Sequence, residues 1–150
     1  MTDVQKTENL TAEYLMALNS GIAAFESKLF VRAYELLLPL AKANHPDAQY
    51  RLAIMSQNGL GMVKNTKEAV RWMKAAADQG FGLAQHGLGY MYLEGDGVEK
   101  NETQAVAWFR LAAEQDLAGA QAMLGTLYEQ GRGVPQDLEE AKRWYAKAGF

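Results

Sequence analysis

The 150-residue chain contains no cysteine. Disulfides, thiolate nucleophiles and cysteine-held metals are therefore excluded, and a reducing compartment is the matching environment. It also lacks an excess of positive charge. Lys and Arg number 15 against 18 Asp and Glu, with both signs interspersed and a net charge of −3. Nucleic-acid binders usually carry a basic patch or stripe, so that class is disfavoured. The first residues, "MTDVQKTENL", hold no apolar signal run. The greasiest later stretch, "YELLLPLA", is far too short to cross a bilayer. The expectation is a protein that is soluble and cytoplasmic, with no membrane partner. A nucleophile–base constellation is missing too. There are two histidines, and serine stands only at positions 20, 27 and 56. No catalytic residue and no cofactor is expected.

What is present is a period. Trp72, Trp108 and Trp144 lie 36 residues apart. The same interval joins Ala48, Ala84 and Ala120, then Leu52, Leu88 and Leu124, then Ala69, Ala105 and Ala141. It joins Gly59, Gly95 and Gly131, and also Gly61, Gly97 and Gly133. A fixed period in the range of 20–50 residues marks stacked supersecondary units.

Each unit reads as two helices. The first begins near "AQYRLAIMS", "AQHGLGYMY" and "AQAMLGTLY", with small and apolar residues along one face. The second is "KEAVRWMKAAA", "ETQAVAWFRLAA" and "LEEAKRWYAKA", where Ala, Trp and Ala share a face. Neither helix can bury its face alone, so the pairs must stack. Between them sit "NGLGM", "EGDGV" and "QGRGV". Helices often end on a residue of positive φ, where glycine carries no steric penalty. The glycines therefore read as connectors. A phosphate cradle would need a preceding strand and a following Lys-Ser/Thr, and neither is there. Asn65, Asn101 and Asp137 each precede Glu or Gln by three residues, the pattern of a helix N-cap. Ala53, Gly89 and Gly125 form a column of small residues that allows close helix approach, and the tryptophans are expected to fill the wedge between successive pairs.

Upstream the pattern weakens. Ala33 and Leu36 stand 36 residues before Ala69 and Trp72, so "VRAYELLLPLAKA" reads as a helix of the second type, with Pro39 expected to kink or strain it. Residues 1–10 are polar and are expected to be a loosely attached tail.

The stretch "AQHGLGYMYLEGDGVEKNETQAVAWFRLAAEQ" resembles the Sel-one-like repeat, a relative of the tetratricopeptide repeat. Three units match, over residues 47–82, 83–118 and 119–150, and residues 11–46 resemble a tetratricopeptide-like opening repeat. The resemblance implies an all-α fold, an α-α superhelix forming a right-handed solenoid of helix-turn-helix repeats. It also implies a non-enzymatic adaptor that holds a protein partner. The chain departs from the pattern at Ala53 for Gly, at Ser56 for Tyr, and at Asp116, where Gly80 stands one period earlier. Disulfide-paired secreted members exist, and the absence of cysteine sets this chain apart from them.

In the related tetratricopeptide stacks the first helix of each unit lines the concave surface. Carried over position by position, that implies a partner-binding groove of Leu18, Ile22, Tyr50, Ile54, His86, Tyr90 and Leu93. Its occupant is expected to be a peptide or helix of a protein partner. Tyrosine suits such a surface because it offers area with a polar tip. The competing reading is that these side chains fill a tightly wound groove, or that residues 1–10 cover them. His45, before Pro46, reads as a loop residue at a helix start, and His86 has no companion ligands for a metal. The last helix ends in "RWYAKAGF", and Trp144, Tyr145 and Phe150 are expected to meet a second copy in a homodimer through the C-terminal repeat. A self-assembling structural module, or an enzyme whose site is not visible in sequence, are the alternatives to the adaptor.

Overall fold

The computed structural model describes residues 2–150, the side chains of residues 6–10 excepted. Among the described residues the regular structure is helical throughout. The helices are α1 (Asp3–Glu26), α2 (Phe30–Lys42), α3 (Pro46–Asn58), α4 (Thr66–Asp78), α5 (Gly82–Glu94), α6 (Glu102–Ala113), α7 (Ala118–Gln130) and α8 (Leu138–Ala148). They form two compact units, residues 1–72 and 73–150, with the boundary inside α4.

In the first unit α1 packs on α2 and α2 on α3. Ala33, Leu37, Ala48, Leu52 and Met55 make the centre of its core, and Trp72 packs partly buried against it. In the second unit α5, α6, α7 and α8 each pack on the next. Phe109, Leu124 and Leu127 are fully buried at its centre.

The connectors behave as the glycine pattern predicts. Gly59, Gly95 and Gly131 end α3, α5 and α7 in the left-handed conformation, and each N–H bonds back into its helix, to the carbonyls of Met55, Met91 and Leu127. The second glycine of each pair has positive φ as well, and it has a further duty. A Cβ on Gly61 would lie 2.5 Å from the Phe30 carbonyl carbon, and one on Gly133 would lie 2.3 Å from the Glu102 carbonyl oxygen. These loops press directly on the first turn of α2 or α6. Arg132, between the last two glycines, donates to the Glu102 carboxylate at 2.7 Å and ties the loop to the same turn. The N-caps are also as expected: Asn65, Asn101 and Asp137 each accept from the backbone N–H three residues on, at 3.0 Å.

Two expectations need correction, those for the first ten residues and for the indoles. Residues 3–10 continue α1, whose Thr2 cap accepts from the Gln5 N–H at 3.2 Å, so they are helix rather than loose tail. Helix α2 runs through Pro39 and ends three residues later. Asp116 keeps the left-handed backbone of Gly80, with φ 63° against 86°, because Asp tolerates that region better than most residues. The last correction concerns the indoles. Trp72 and Trp108 are only half-buried. The fully packed column is the next residue along: Leu37, Met73 and Phe109 are buried, and Tyr145 is half-buried. These are also 36 apart. Their partners are small residues of the first helices. A Cβ on Gly21 would meet Leu37 at 2.5 Å, one on Gly89 would meet Phe109 at 2.9 Å, and one on Gly125 would meet Tyr145 at 2.7 Å.

A polar column repeats with the apolar ones. Gln49, Gln85 and Gln121 are buried, and each side-chain amide donates to a carbonyl near the end of the preceding helix, that of Ala41, Ala77 and Ala113 respectively. Each of those carbonyls also accepts the backbone N–H three residues on, from Asn44, Gly80 and Asp116, so the glutamine adds a second hydrogen bond that ties the next hairpin to the end of the preceding helix.

Candidate functional site

The first helix of each hairpin carries the expected groove residues, and each unit presents its own set. In the first unit Ile22, Tyr50 and Ile54 are half-buried. Burial raises the Tyr50 phenol above its ordinary pKa, partly offset by neighbouring Arg51. Arg51 itself bonds Asp47 at 2.7 Å and lies 5.0 Å over the Phe25 ring. Leu18 is not a groove residue. It is 9% exposed and belongs to the core with Leu37 and Leu52, because its face of α1 is the one that packs. His45 caps α3, its Nδ1 accepting from the Ala48 N–H at 3.4 Å, with its ring 5.7 Å from Tyr14.

In the second unit His86 and Tyr90, one helical turn apart on α5, stack with ring centroids 5.1 Å apart. Phe109 of α6 meets both edge-on, at 5.5 Å from His86 and 5.1 Å from Tyr90. The buried phenyl ring is the base of the cluster, and Tyr90 stands on it 40% exposed. Burial holds the His86 imidazole below its ordinary pKa, which keeps the ring neutral near pH 7. The Tyr90 phenol is raised, by burial first and by the Glu94 carboxylate second. Leu93 is a correction like Leu18. It is 4% exposed and packs with Val106 and Phe109, so it supports α5 from within.

One period on, the same positions are more polar. Thr126 replaces Tyr90 and Tyr145 replaces Phe109. The Tyr145 hydroxyl donates to the Glu129 carboxylate at 2.6 Å and lies 3.1 Å from the Thr126 hydroxyl. The bond to Glu129 is the main cause of its raised pKa.

The residues expected to meet a second copy are used differently from one another. Trp144 is 7% exposed and lies in the unit's own core, with the Lys147 ammonium 4.5 Å over its ring, so its surface is already covered by its own chain. Tyr145 is held by Thr126 and Glu129. Phe150 alone of the three is bare, 86% exposed and edge-on to Tyr145 at 6.2 Å.

Sequence reasoning missed Phe109 as the base of the cluster. The signal was the 36-residue spacing of Leu37, Met73, Phe109 and Tyr145, hidden because the residue type changes at every step. Among the described residues no group of three His, Asp or Glu side chains is placed to hold a metal ion, and no helix is long and apolar enough to cross a membrane.

A family model for the Sel1 repeat matches residues 46–81, 82–117 and 118–149. The chain belongs to the Sel1 repeat family. Sel1 repeats are typically protein-interaction modules. A Sel1 repeat protein from Oxalobacter formigenes is 38% identical in sequence, covers 88% of this chain and superposes with a TM-score of 0.82. A protective antigen of uropathogenic Escherichia coli strains, described as displaying an SLR fold, is 35% identical over 95% of this chain with a TM-score of 0.86. Both are helical-repeat solenoids, and this Sel1 chain shares their fold class. Chitin synthase regulatory factor 2 of Schizosaccharomyces pombe is 38% identical over 73 residues, 47% of this chain. The chain spans 54% and 32% of the two solved structures and 14% of the yeast protein.

Proposed function

We propose that this Sel1 chain is a non-enzymatic adaptor that holds a peptide or helix of a protein partner against its first-type helices. The observation that carries this reading is Tyr90. A large amphipathic ring left 40% exposed, on a rigid base of buried Phe109 and stacked His86, is costly to leave in water and well suited to an interface. Ile22, Tyr50 and Ile54 supply comparable half-buried apolar area in the first unit. A chain without cysteine fits a reducing, cytoplasmic setting for that work.

The test is a pull-down from the native lysate with wild type, Tyr50→Ala and Tyr90→Ala, each checked for unchanged helical circular dichroism. Loss of the same partner from both variants supports the adaptor. Full retention by both, with the fold intact, refutes it. Self-assembly is a second reading, favoured by the bare Phe150 ring. Light scattering on the eluting protein decides it, since a clean 16.6 kDa monomer rules out the dimer and a Phe150→Ser-sensitive dimer supports it.

A further inference from the structure

The first-type helices of the second unit are electrically one-sided. Helix α5 and helix α7 contain no Lys or Arg, and their ionised side chains are Glu94 and Glu129. Glu94 lies one turn beyond Tyr90 and bears on its phenol. Glu129 is fixed by the Tyr145 hydroxyl, which donates a hydrogen bond but adds no positive charge. His86, the remaining titratable cation on these helices, is kept neutral by burial.

The imbalance extends to the whole unit. Residues 73–150 hold eleven Asp and Glu against seven Lys and Arg, whereas residues 1–72 hold seven against eight. Six of those seven cations are engaged away from α5 or with other groups. Lys74 pairs with Asp78, Arg132 with Glu102, Lys142 with Glu139 and Arg143 with Glu140. Arg110 donates to the Tyr128 hydroxyl, and Lys147 covers Trp144.

We propose that the exposed side of α5 and α7, carrying Tyr90, Glu94, Thr126 and Glu129, docks a segment of a protein partner that presents Lys or Arg beside an apolar anchor. This rests on the adaptor reading and names the chemistry of its partner. The exposed Tyr90 ring takes the apolar anchor or, face-on, a guanidinium. The two carboxylates lie where a cation alongside it finds a counter-charge. An acidic segment meets repulsion with no cation on either helix to relieve it.

The experiment is fluorescence anisotropy with three labelled peptides of one apolar pattern, carrying Lys/Arg, Gln or Glu at the polar positions. The protein is wild type, Glu94→Gln, Glu94→Gln with Glu129→Gln, Tyr90→Ala and Glu139→Gln, the last a control on α8 for net charge. The cationic peptide binds wild type. Binding weakens roughly three- to tenfold in the double glutamine variant and by less in Glu94→Gln, as expected for one or two exposed ion pairs. It is unaffected by Glu139→Gln, and it weakens between about 50 mM and about 500 mM salt. Equal binding of all three peptides to wild type, with Tyr90→Ala abolishing it, overturns the charge selection and leaves the adaptor standing. Equal losses in Glu139→Gln and the double variant overturn the localisation to α5 and α7. Binding by none of the peptides, or binding indifferent to Tyr90→Ala, overturns both.

Discussion

Replacing Gly131 and Gly133 separately by alanine separates the two duties of a Gly-x-Gly connector. Gly131 has φ 64°, and its added Cβ would lie 3.1 Å from the Gln136 Cβ and 3.2 Å from the Gln136 backbone nitrogen, a contact relieved by a shift of a few tenths of an ångström in an exposed loop. Gly131→Ala therefore costs about 1–2 kcal/mol, the penalty for an L-residue in the left-handed region. Gly133 has a similar φ of 71°, so the conformational penalty is the same. Its Cβ, however, would lie 2.3 Å from the Glu102 carbonyl oxygen, 2.6 Å from the carbonyl carbon and 2.9 Å from Val106. Two of those atoms are backbone in the first turn of α6, which cannot move without shifting the helix. Overpacking of this kind adds roughly 1–3 kcal/mol, for a total of roughly 2–5 kcal/mol. At this chain length each kcal/mol lowers Tm by about 2–4 °C. Thermal and urea unfolding by circular dichroism measures both. Gly133→Ala is expected to lose roughly 2–12 °C more than Gly131→Ala. Equal losses refute the contact, and leave the second glycine as a device for backbone φ alone.

Three further outcomes follow from the packing and the polar column. Phe109→Ala is expected to cost about 3–5 kcal/mol, and Trp108→Ala clearly less, because the phenyl ring is fully buried and the indole is not; urea midpoints in the reverse order contradict the assignment of the core. Gln121→Leu removes one of the two hydrogen bonds to the Ala113 carbonyl, which keeps the Asp116 N–H, and costs about 0.5–1.5 kcal/mol, whereas Ala substitution of the exposed Gln136 stays within about 0.5 kcal/mol. His86 has a folded pKa below its unfolded value of 6.5. Protonation therefore favours the unfolded chain, and stability falls as the pH drops below about 6.5 and levels off beneath the folded pKa. Urea midpoints between about pH 7.5 and pH 5 are expected to fall more for wild type than for His86→Gln, and an identical decline in both disproves the buried neutral imidazole.

Much of the architecture was legible because identical residues recur at one spacing. Glycine, alanine and asparagine are forced by backbone conformation, close approach and capping, and those demands do not vary from unit to unit. The column that closes each hairpin was not legible in the same way. Leu37, Met73, Phe109 and Tyr145 need only fill space above a small residue, so size and chemistry drift while the position holds. Gln49, Gln85 and Gln121 were visible as a column, but a polar side chain gives no sign in sequence that it is buried against a carbonyl. The groove residues were transferred by offset from a leucine. That offset picks out His86 and Tyr90, which are partly exposed, whereas Leu18 and Leu93 point into the packed side of their helices. Each residue step turns a helix by about 100°, so an error of one position exchanges groove for core. Polar residues at the start of α1 suggested a tail, yet Thr2 and Gln5 supply a capping box that starts a helix there.

The central claim is that the first-type helices present the partner surface and the second-type helices do not. A photo-crosslinking amino acid at position 90, on α5, is expected to capture the partner in the native lysate, and the same group at position 143, on the exposed side of α8, is expected to capture nothing above background. Capture from position 143 with none from position 90 would contradict the account.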